Sequence, residues 1–266
     1  MQELPAFGEQ LMRLAEVRGL DREMMVCQAS PPEAEITSVF DGAEPSPALL
    51  RKLASVLGLH RSDLFVVSGQ QVPDELAPQD ATARGEIGWL AWSLTFLPHA
   101  VPELRELVRS LPRLPRPDRP VAPPPPHHSY PNSPGALVLR LLHNRNLDWT
   151  ATAKYLYGLG GGPMLSASTI GLIGRGRKAL TPDLLAGLGA VLDISSADLN
   201  ALTGVDPSTD GAKIHPDADE AAELIWNARR LTVEQLRLVR DRAHAIRHER
   251  AEELNSGHRC SCGGRP

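Results

Sequence analysis

Two parts of this chain repeat each other. A repeat constrains the fold strongly, because one backbone solution must serve both copies. GEQLMRLAEVRGLD at Gly8–Asp21 aligns with GALVLRLLHNRNLD at Gly135–Asp148, with six identities that include Gly8/Gly135, Arg18/Arg145 and Asp21/Asp148. SPALLRKLASVLGLHRSDL at Ser46–Leu64 aligns with TPDLLAGLGAVLDISSADL at Thr181–Leu199, with eight identities that include Pro47/Pro182, Leu53/Leu188 and Asp63/Asp198. The first blocks are 127 residues apart and the second blocks 135. The second copy therefore holds eight additional residues between its blocks, most of them in GLGGGPM at Gly158–Met164.

Each copy reads as five short helices. Phe7, Leu11, Leu14 and Val17 form a helical stripe that Gly19 ends. Asp21 is a good N-cap for a second helix holding Met24, Met25 and Val26. Ile36, Val39 and Phe40 mark a third. Ser46-Pro47 opens a fourth, with Pro at the first helical position. Its buried face is Leu49, Leu50, Leu53, Val56 and Leu57, and Gly58 closes it. Ser62-Asp63 begins a fifth that runs through Val67. No segment alternates with period two, so the expected fold class is all-α.

Between the copies, residues 112–134 hold ten of the 24 prolines. Proline breaks helices and removes donors, so the segment reads as an extended linker. At ~3.1 Å per residue it reaches roughly 70 Å. Arg113, Arg116 and Arg119 within it are either phosphate contacts or solubilising charges. The expected organisation is a first unit with trailing helices at 1–111, the linker at 112–134, and a second unit at 135–206. A C-terminal helical pair follows at 215–254, and a disordered tail at 255–266.

The net charge of -4 excludes a uniformly basic nucleic-acid-coating protein, but not one with a single basic face. Residues 1–70 carry six Lys/Arg against ten Asp/Glu, whereas residues 135–205 carry six against four. Arg (24) far outnumbers Lys (4), a usage typical of high-GC bacterial genomes. Three dispersed cysteines, Cys27, Cys260 and Cys262, build no disulfide scaffold and fit a reducing cytoplasm. The N-terminus lacks the basic and apolar regions of a signal peptide. Ile87–Pro102 is too short and too rich in proline to span a membrane.

The stretch LSASTIGLIGRGRK at Leu165–Lys178, in a unit of about 60 residues, resembles the third helix of the Xre / lambda-repressor-like helix-turn-helix family. Leu165, Ser166, Thr169, Ile170, Ile173 and Gly176 match the family pattern, with Gly174 where Glu is usual. The resemblance covers residues 6–68 and 135–204. It implies two lambda-repressor-like units in tandem, each laying one helix in the major groove of double-stranded DNA. By matching position, Ser166, Ala167, Ser168 and Thr169 would face bases or phosphates, and Arg175, Arg177 and Lys178 phosphates. Ser166 also reads as a plain N-cap, and Arg175 and Arg177 as solvated charges at a helix end. Two reading helices about 34 Å apart would match one helical turn, as in a dimer.

The first copy departs from that pattern. SPPEAEITSVFDGAEP at Ser30–Pro45 keeps Ile36, Val39 and Gly42 but sets Glu33, Glu35, Asp41 and Glu44 where a reader carries polar or basic residues. It is expected to contribute less to DNA, with Gln28, Thr37 and Ser38 as secondary contacts. Residues 1–111 are also a candidate surface for a protein partner.

The other segments offer no chemistry. Trp89 and Trp92 flank the stripe Ile87, Leu90, Ala91, Leu94 and Leu97, as core or as interface anchors. Thr232–Gln235 is a capping box with Leu231 and Leu236 as its staple. Leu236, Val239, Ala243 and Ile246 are spaced as a short seam, for packing on the second unit or for a homodimer through residues 232–254. Five arginines from Arg237 to Arg250 are further phosphate candidates. His258, Cys260 and Cys262 lack the spacing of a zinc site. No nucleophile, metal or nucleotide motif is present, so neither an enzyme nor a cofactor is expected. The expectation is a bacterial, cytoplasmic, nucleoid-associated transcriptional regulator that binds an operator mostly through its second unit. The alternative is an adaptor built on the same fold that binds another regulator or a sigma factor.

Overall fold

Matching start signals open matching helices in the two copies. Asp21 Oδ1 accepts from the Met24 amide at 2.7 Å to cap one helix, and Asp148 Oδ1 accepts from the Ala151 amide at 2.7 Å to cap its counterpart. Ser46 and Thr181 cap another matched pair, each followed by a proline that needs no amide partner. The computed structural model describes residues 3–29, 33–116, 126–206 and 213–259, and among these residues there is no strand. The first copy comprises α1 (Phe7–Val17), α2 (Arg22–Ala29), α3 (Glu33–Phe40), α4 (Pro47–Val56) and α5 (Arg61–Val67). Two helices trail it, α6 (Arg84–Leu94) and α7 (Val101–Ser110). The second copy comprises α8 (Pro134–His143), α9 (Trp149–Gly158), α10 (Ala167–Gly174), α11 (Pro182–Leu192) and α12 (Ser196–Thr203), trailed by α13 (Ala218–Ala228) and α14 (Val233–Arg259). Among the described residues no single helix is long and apolar enough to cross a membrane.

Internal packing follows the repeat. α1 lies on α3, α2 on α4 and α4 on α5, just as α8 lies on α10, α9 on α11 and α11 on α12. The identity Gly8/Gly135 has a steric cause. A Cβ on Gly8 would stand 2.6 Å from the Val39 carbonyl oxygen, and one on Gly135 would stand 2.3 Å from that of Ile173. Only glycine lets the first turn of α1 or α8 approach the end of the third helix so closely. Pairing Val39 with Ile173 places seven of the eight additional residues ahead of α10 and one after it.

The two copies touch directly, and the contact is an exchange. α1 packs on α12 and α5 packs on α8, so the first helix of each copy meets the fifth helix of the other. Arg18 donates to Asp198 at 2.8 and 3.3 Å, while Arg145 grips Asp63 at 2.8 and 3.0 Å. These four residues are two of the identities in the repeat, Arg18/Arg145 and Asp63/Asp198. The relation is that of an isologous dimer, i to j and j to i, made within one chain. Thus residues 112–134 do not hold the units apart at the reach of an extended linker. Over its first five residues the segment lies on residues 74–79. Arg116 donates to the Asp74, Ala77 and Pro78 carbonyls, and Gln79 Nε2 donates to the Leu114 carbonyl at 2.9 Å. Arg119 lies outside the described residues.

The two ends of the exchange differ in burial. The Arg145 and Asp63 side chains are 1% and 2% exposed, and those of Arg18 and Asp198 are 32% and 7%. Around Arg145 the polar groups are satisfied. It donates to the Leu141 and Leu192 carbonyls, and Asn144 Nδ2 donates to Asp63 Oδ1 at 2.7 Å and to Ser62 Oγ at 3.0 Å. Arg229 from the end of α13 donates to the Asn144 carbonyl at 2.7 Å and to its Oδ1 at 2.6 Å. Burial pulls the Arg229 pKa down to about 10, with Asp63 opposing that shift. The Trp226 ring lies under the Arg145 and Arg229 guanidiniums at 5.0 and 4.2 Å, and the His60 ring stacks on it at 3.6 Å.

The trailing helices form a joint bundle. α6 and α7 each pack on both α13 and α14, and the bundle rests on the second unit through α6 on α9 and α13 on α11. The Thr232–Gln235 capping box forms as expected, with amide to side-chain bonds of 3.1 and 3.4 Å. The seam residues Leu236, Val239, Ala243 and Ile246 are buried, and α14 packs on α6 and α7 rather than on the five-helix unit that precedes it. α14 also runs past residue 254 to Arg259, because nothing between Ala251 and Asn255 breaks a helix. Cys260 and Cys262 lie outside the described residues. Trp89 and Trp92 are half-buried; Trp89 packs on His244 at 4.4 Å, and Trp92 meets the edge of Phe96 at 4.7 Å.

Two predictions concern this interface. Arg145→Ala strands a buried carboxylate and should cost about 3–5 kcal/mol. Arg18→Ala at the more open counterpart should cost about 1 kcal/mol or less. Urea unfolding of the two variants measures the difference. Burial against Trp226 also lowers the His60 pKa from its ordinary 6.5, with Arg145 and Arg229 adding to the shift and Asp63 and Asp193 opposing it. The unfolded chain then binds the extra proton first. This contribution to stability is complete above pH 6.5 and declines as the pH falls below it. Melting temperatures should drop between about pH 7.5 and 5.5, and His60→Phe, which keeps the stack, should flatten that decline.

Candidate nucleic-acid interface

The surface singled out by the residue pattern is built on α10. Ser166 caps the helix, accepting from the Thr169 amide at 3.1 Å. Its hydroxyl also shares hydrogen bonds with Ser168 Oγ at 2.8 Å and Thr169 Oγ1 at 2.9 Å. Ser166 is therefore an N-cap, and it gathers the neighbouring hydroxyls into one exposed cluster. Ser168 is exposed, whereas Ala167 and Thr169 are half-buried.

The opposite face of α10 is buried through Ile170, Gly171, Ile173 and Gly174. Both glycines are dictated by contact. A Cβ on Gly171 would sit 2.8 Å from the Trp149 ring, and one on Gly174 would sit 2.3 Å from Leu139 and 2.8 Å from Tyr130. This explains why glycine stands at position 174, where the resembling pattern has Glu. A larger residue there would have to displace the Leu139 and Tyr130 side chains. Ser168, Leu172 and Arg175 then line the outward face, at spacings of four and three.

Three cations stand at the far end of this face. The Arg175 guanidinium lies over the Trp149 ring at 4.9 Å. Arg177 and Lys178 are exposed in the loop that follows and form no salt bridge to a described residue. Both line a shallow hollow shared with Ser133 and Pro134, at the N-terminus of α8. No carboxylate lines that hollow, and a helix N-terminus adds partial positive charge to it.

The additional residues ahead of α10 are tied by backbone bonds to α9 and to the chain leading to α13. Gly160 donates its amide to the Tyr155 carbonyl at 3.3 Å, Gly162 to that of Leu156 at 3.1 Å, and the His215 amide donates to Leu159 at 2.9 Å. A Cβ on Gly160 would stand 2.6 Å from the Gly187 carbonyl oxygen, and one on Gly161 2.3 Å from that of Lys213. The glycine run is thus wedged between α11 and the chain leading to α13. Met164, just beyond it, is 73% exposed, and Tyr157 and Leu172 are also outward.

On the first unit, Ser38 is exposed and Thr37 half-exposed, and Ser38 Oγ donates to the Glu35 carbonyl at 2.8 Å. The Glu35 carboxylate accepts from Ser46 Oγ, so this acid supports the cap of α4 instead of standing free beside α3. Gln28 borders a hollow lined by Arg51, Lys52 and Arg61. This basic cluster escaped the sequence reading, which dwelt on the acids. Its signal was present: the aligned positions in the second copy are Ala186, Gly187 and Ser196.

Several other arginines are paired, Arg51 of that cluster among them, with Glu75 at 2.7 Å. Arg237 and Arg240 bind Glu86, and Arg242 binds Glu103 and Glu249. The phosphate role expected for these three is thereby weakened, since each already has an anionic partner. No family model, no curated protein and no solved structure matches this chain.

Proposed function

We propose that the chain is a sequence-specific DNA-binding transcriptional regulator of the bacterial cytoplasm. In this reading the two five-helix units are lambda-repressor-like helix-turn-helix units, with α9 and α10 forming the motif that enters the major groove. Ser168 and Thr169 face bases, Leu172 packs on a thymine methyl, and Arg175, Arg177 and Lys178 meet phosphates. Ser166 and Ala167 orient the helix N-terminus toward the backbone. The observation that carries the reading is the contrast in charge. Cations without a salt bridge to a described carboxylate collect at the end of α10, while three arginines of α14, Arg237, Arg240 and Arg242, are paired. The first unit adds secondary contacts from Gln28, Thr37 and Ser38, and the reciprocal packing of α1 on α12 and α5 on α8 is the relation that two halves reading a palindromic site would have.

A second reading is favoured by a separate observation. Tyr157, Met164 and Leu172 are large apolar side chains exposed around the same helix. An adaptor that captures another regulator or a sigma factor would use them as anchors.

Gel retardation on fragments of host genomic DNA separates the two. The Arg175/Arg177/Lys178→Ala triple should lose retention at about 0.15 M salt. Its salt slope should be shallower by up to about three, near one per phosphate contact. Equal retention by the triple and the wild type would overturn the site. Weak, sequence-blind retention by the wild type itself would overturn the regulator reading in favour of the adaptor.

A further inference from the structure

A cavity of about 500 Å3 lies where the two units meet, between the end of α5, the connection to α6, and α8. Its charge is one-sided. Arg84, Arg116 and Arg140 line it, and the only carboxylate among the lining residues, Asp74, is exposed. His127 and His143, stacked at 3.9 Å, contribute one wall, and Val66 and Val72 contribute an apolar one.

Among the described residues none of the three guanidiniums forms a salt bridge, and Asp148 acts on Arg84 only from beyond salt-bridge distance. Arg116 gives its hydrogen bonds to backbone carbonyls of residues 74, 77 and 78. Arg140 donates to the His127 carbonyl at 3.3 Å and to that of Tyr130 at 2.9 Å. Arg84 makes no hydrogen bond and no salt bridge to a described residue, and its Nε is sealed from solvent without a partner. Burial lowers the pKa of both Arg84 and Arg140, the sign of charge held in a poorly solvated place. Desolvated charge is costly unless it is paired. Elsewhere the same chain supplies the pair, as at Arg145–Asp63 and Arg240–Glu86.

The geometry points to this cavity as the binding site of a small organic oxyanion with at least two negative charges, a phosphate ester or a polycarboxylate. The volume falls within the usual range for metabolite sites and far exceeds a bare inorganic ion. The valine wall suits a carbon skeleton, and Asn144 and Asn146 border the cavity with their amides already bonded, to Ser62 and Asp63 and to the Asp80 carbonyl. Asn144 also ties the cavity to the unit interface, because its Nδ2 donates to Asp63 Oδ1. An occupant would brace the two units against each other. On the regulator reading of the preceding subsection, that makes it an effector; the binding itself stands without that reading.

The test uses the full chain without DNA, so its outcome is independent of operator binding. Melting temperature is followed against sodium pyrophosphate, ribose 5-phosphate and citrate, with ionic strength held constant by potassium chloride. At least one probe should raise the melting temperature saturably. Ribose 5-phosphate against citrate separates ester from carboxylate chemistry. Arg84→Gln should fold about as stably as the wild type without probe, since relief of the buried charge offsets the loss of its unbridged attraction to Asp148. The same variant should weaken the response about tenfold or more, as expected for one charge-assisted hydrogen bond. An equal response in wild type and Arg84→Gln, or no saturable shift with any of the three probes, would overturn the proposal.

Discussion

The grip of Arg145 on Asp63 joins elements that are otherwise far apart in the chain. Two opposite charges have been taken out of water, and their mutual attraction alone does not compensate for that. The surrounding bonds complete the compensation. Leu141 and Leu192 accept from Arg145, and Asn144 donates to Asp63. Arg229 then fixes Asn144, and Trp226 offers its ring face to both guanidiniums. α5, α8, α11 and α13 are thus committed to one geometry by a polar network in which each member holds another in place. The apolar core around it fills space, but the network sets how one unit is oriented on the other.

The counterpart at Arg18 and Asp198 uses the same two residue types with less burial. The reason lies in what covers each end. The bundle of α6, α7, α13 and α14 rests on the second unit, so α13 brings Trp226 and Arg229 over the Arg145 end only. A symmetric contact between repeated units has been made asymmetric by helices that have no repeat.

Much of the local structure was legible in the residues. The caps at Asp21, Asp148, Ser46 and Thr181, the prolines after two of them, and the stripes of leucine marked the helices close to where they fall. The Thr232–Gln235 box likewise announced α14. Long-range features were not legible, because they depend on which surfaces meet. The identities Arg18/Arg145 and Asp63/Asp198 were visible as a repeat, yet nothing local said that each arginine would reach the aspartate of the other copy. The glycine run at Gly160–Gly162 was visible only as part of the additional residues, not as the place where missing side chains make room for α11 and residue 213. At the candidate interface, Ser168, Thr169, Arg175, Arg177 and Lys178 were named from the family resemblance, and all but the half-buried Thr169 are exposed. The exposure of Met164 and Tyr157 beside them was not legible, since burial on one side of a short helix is decided by its neighbours.

The exchanged contact joins two parts of one polypeptide, and this has a consequence for how such a molecule can change. In a symmetric homodimer every substitution appears on both sides of the axis, so neither half can specialise alone. Here the halves are separate stretches of one gene. The acidic residues beside α3 and the cations beside α10 could therefore arise independently. Dilution cannot separate the halves either, because the tether fixes their effective concentration. The arrangement keeps the geometry of a dimer while leaving each half free to diverge.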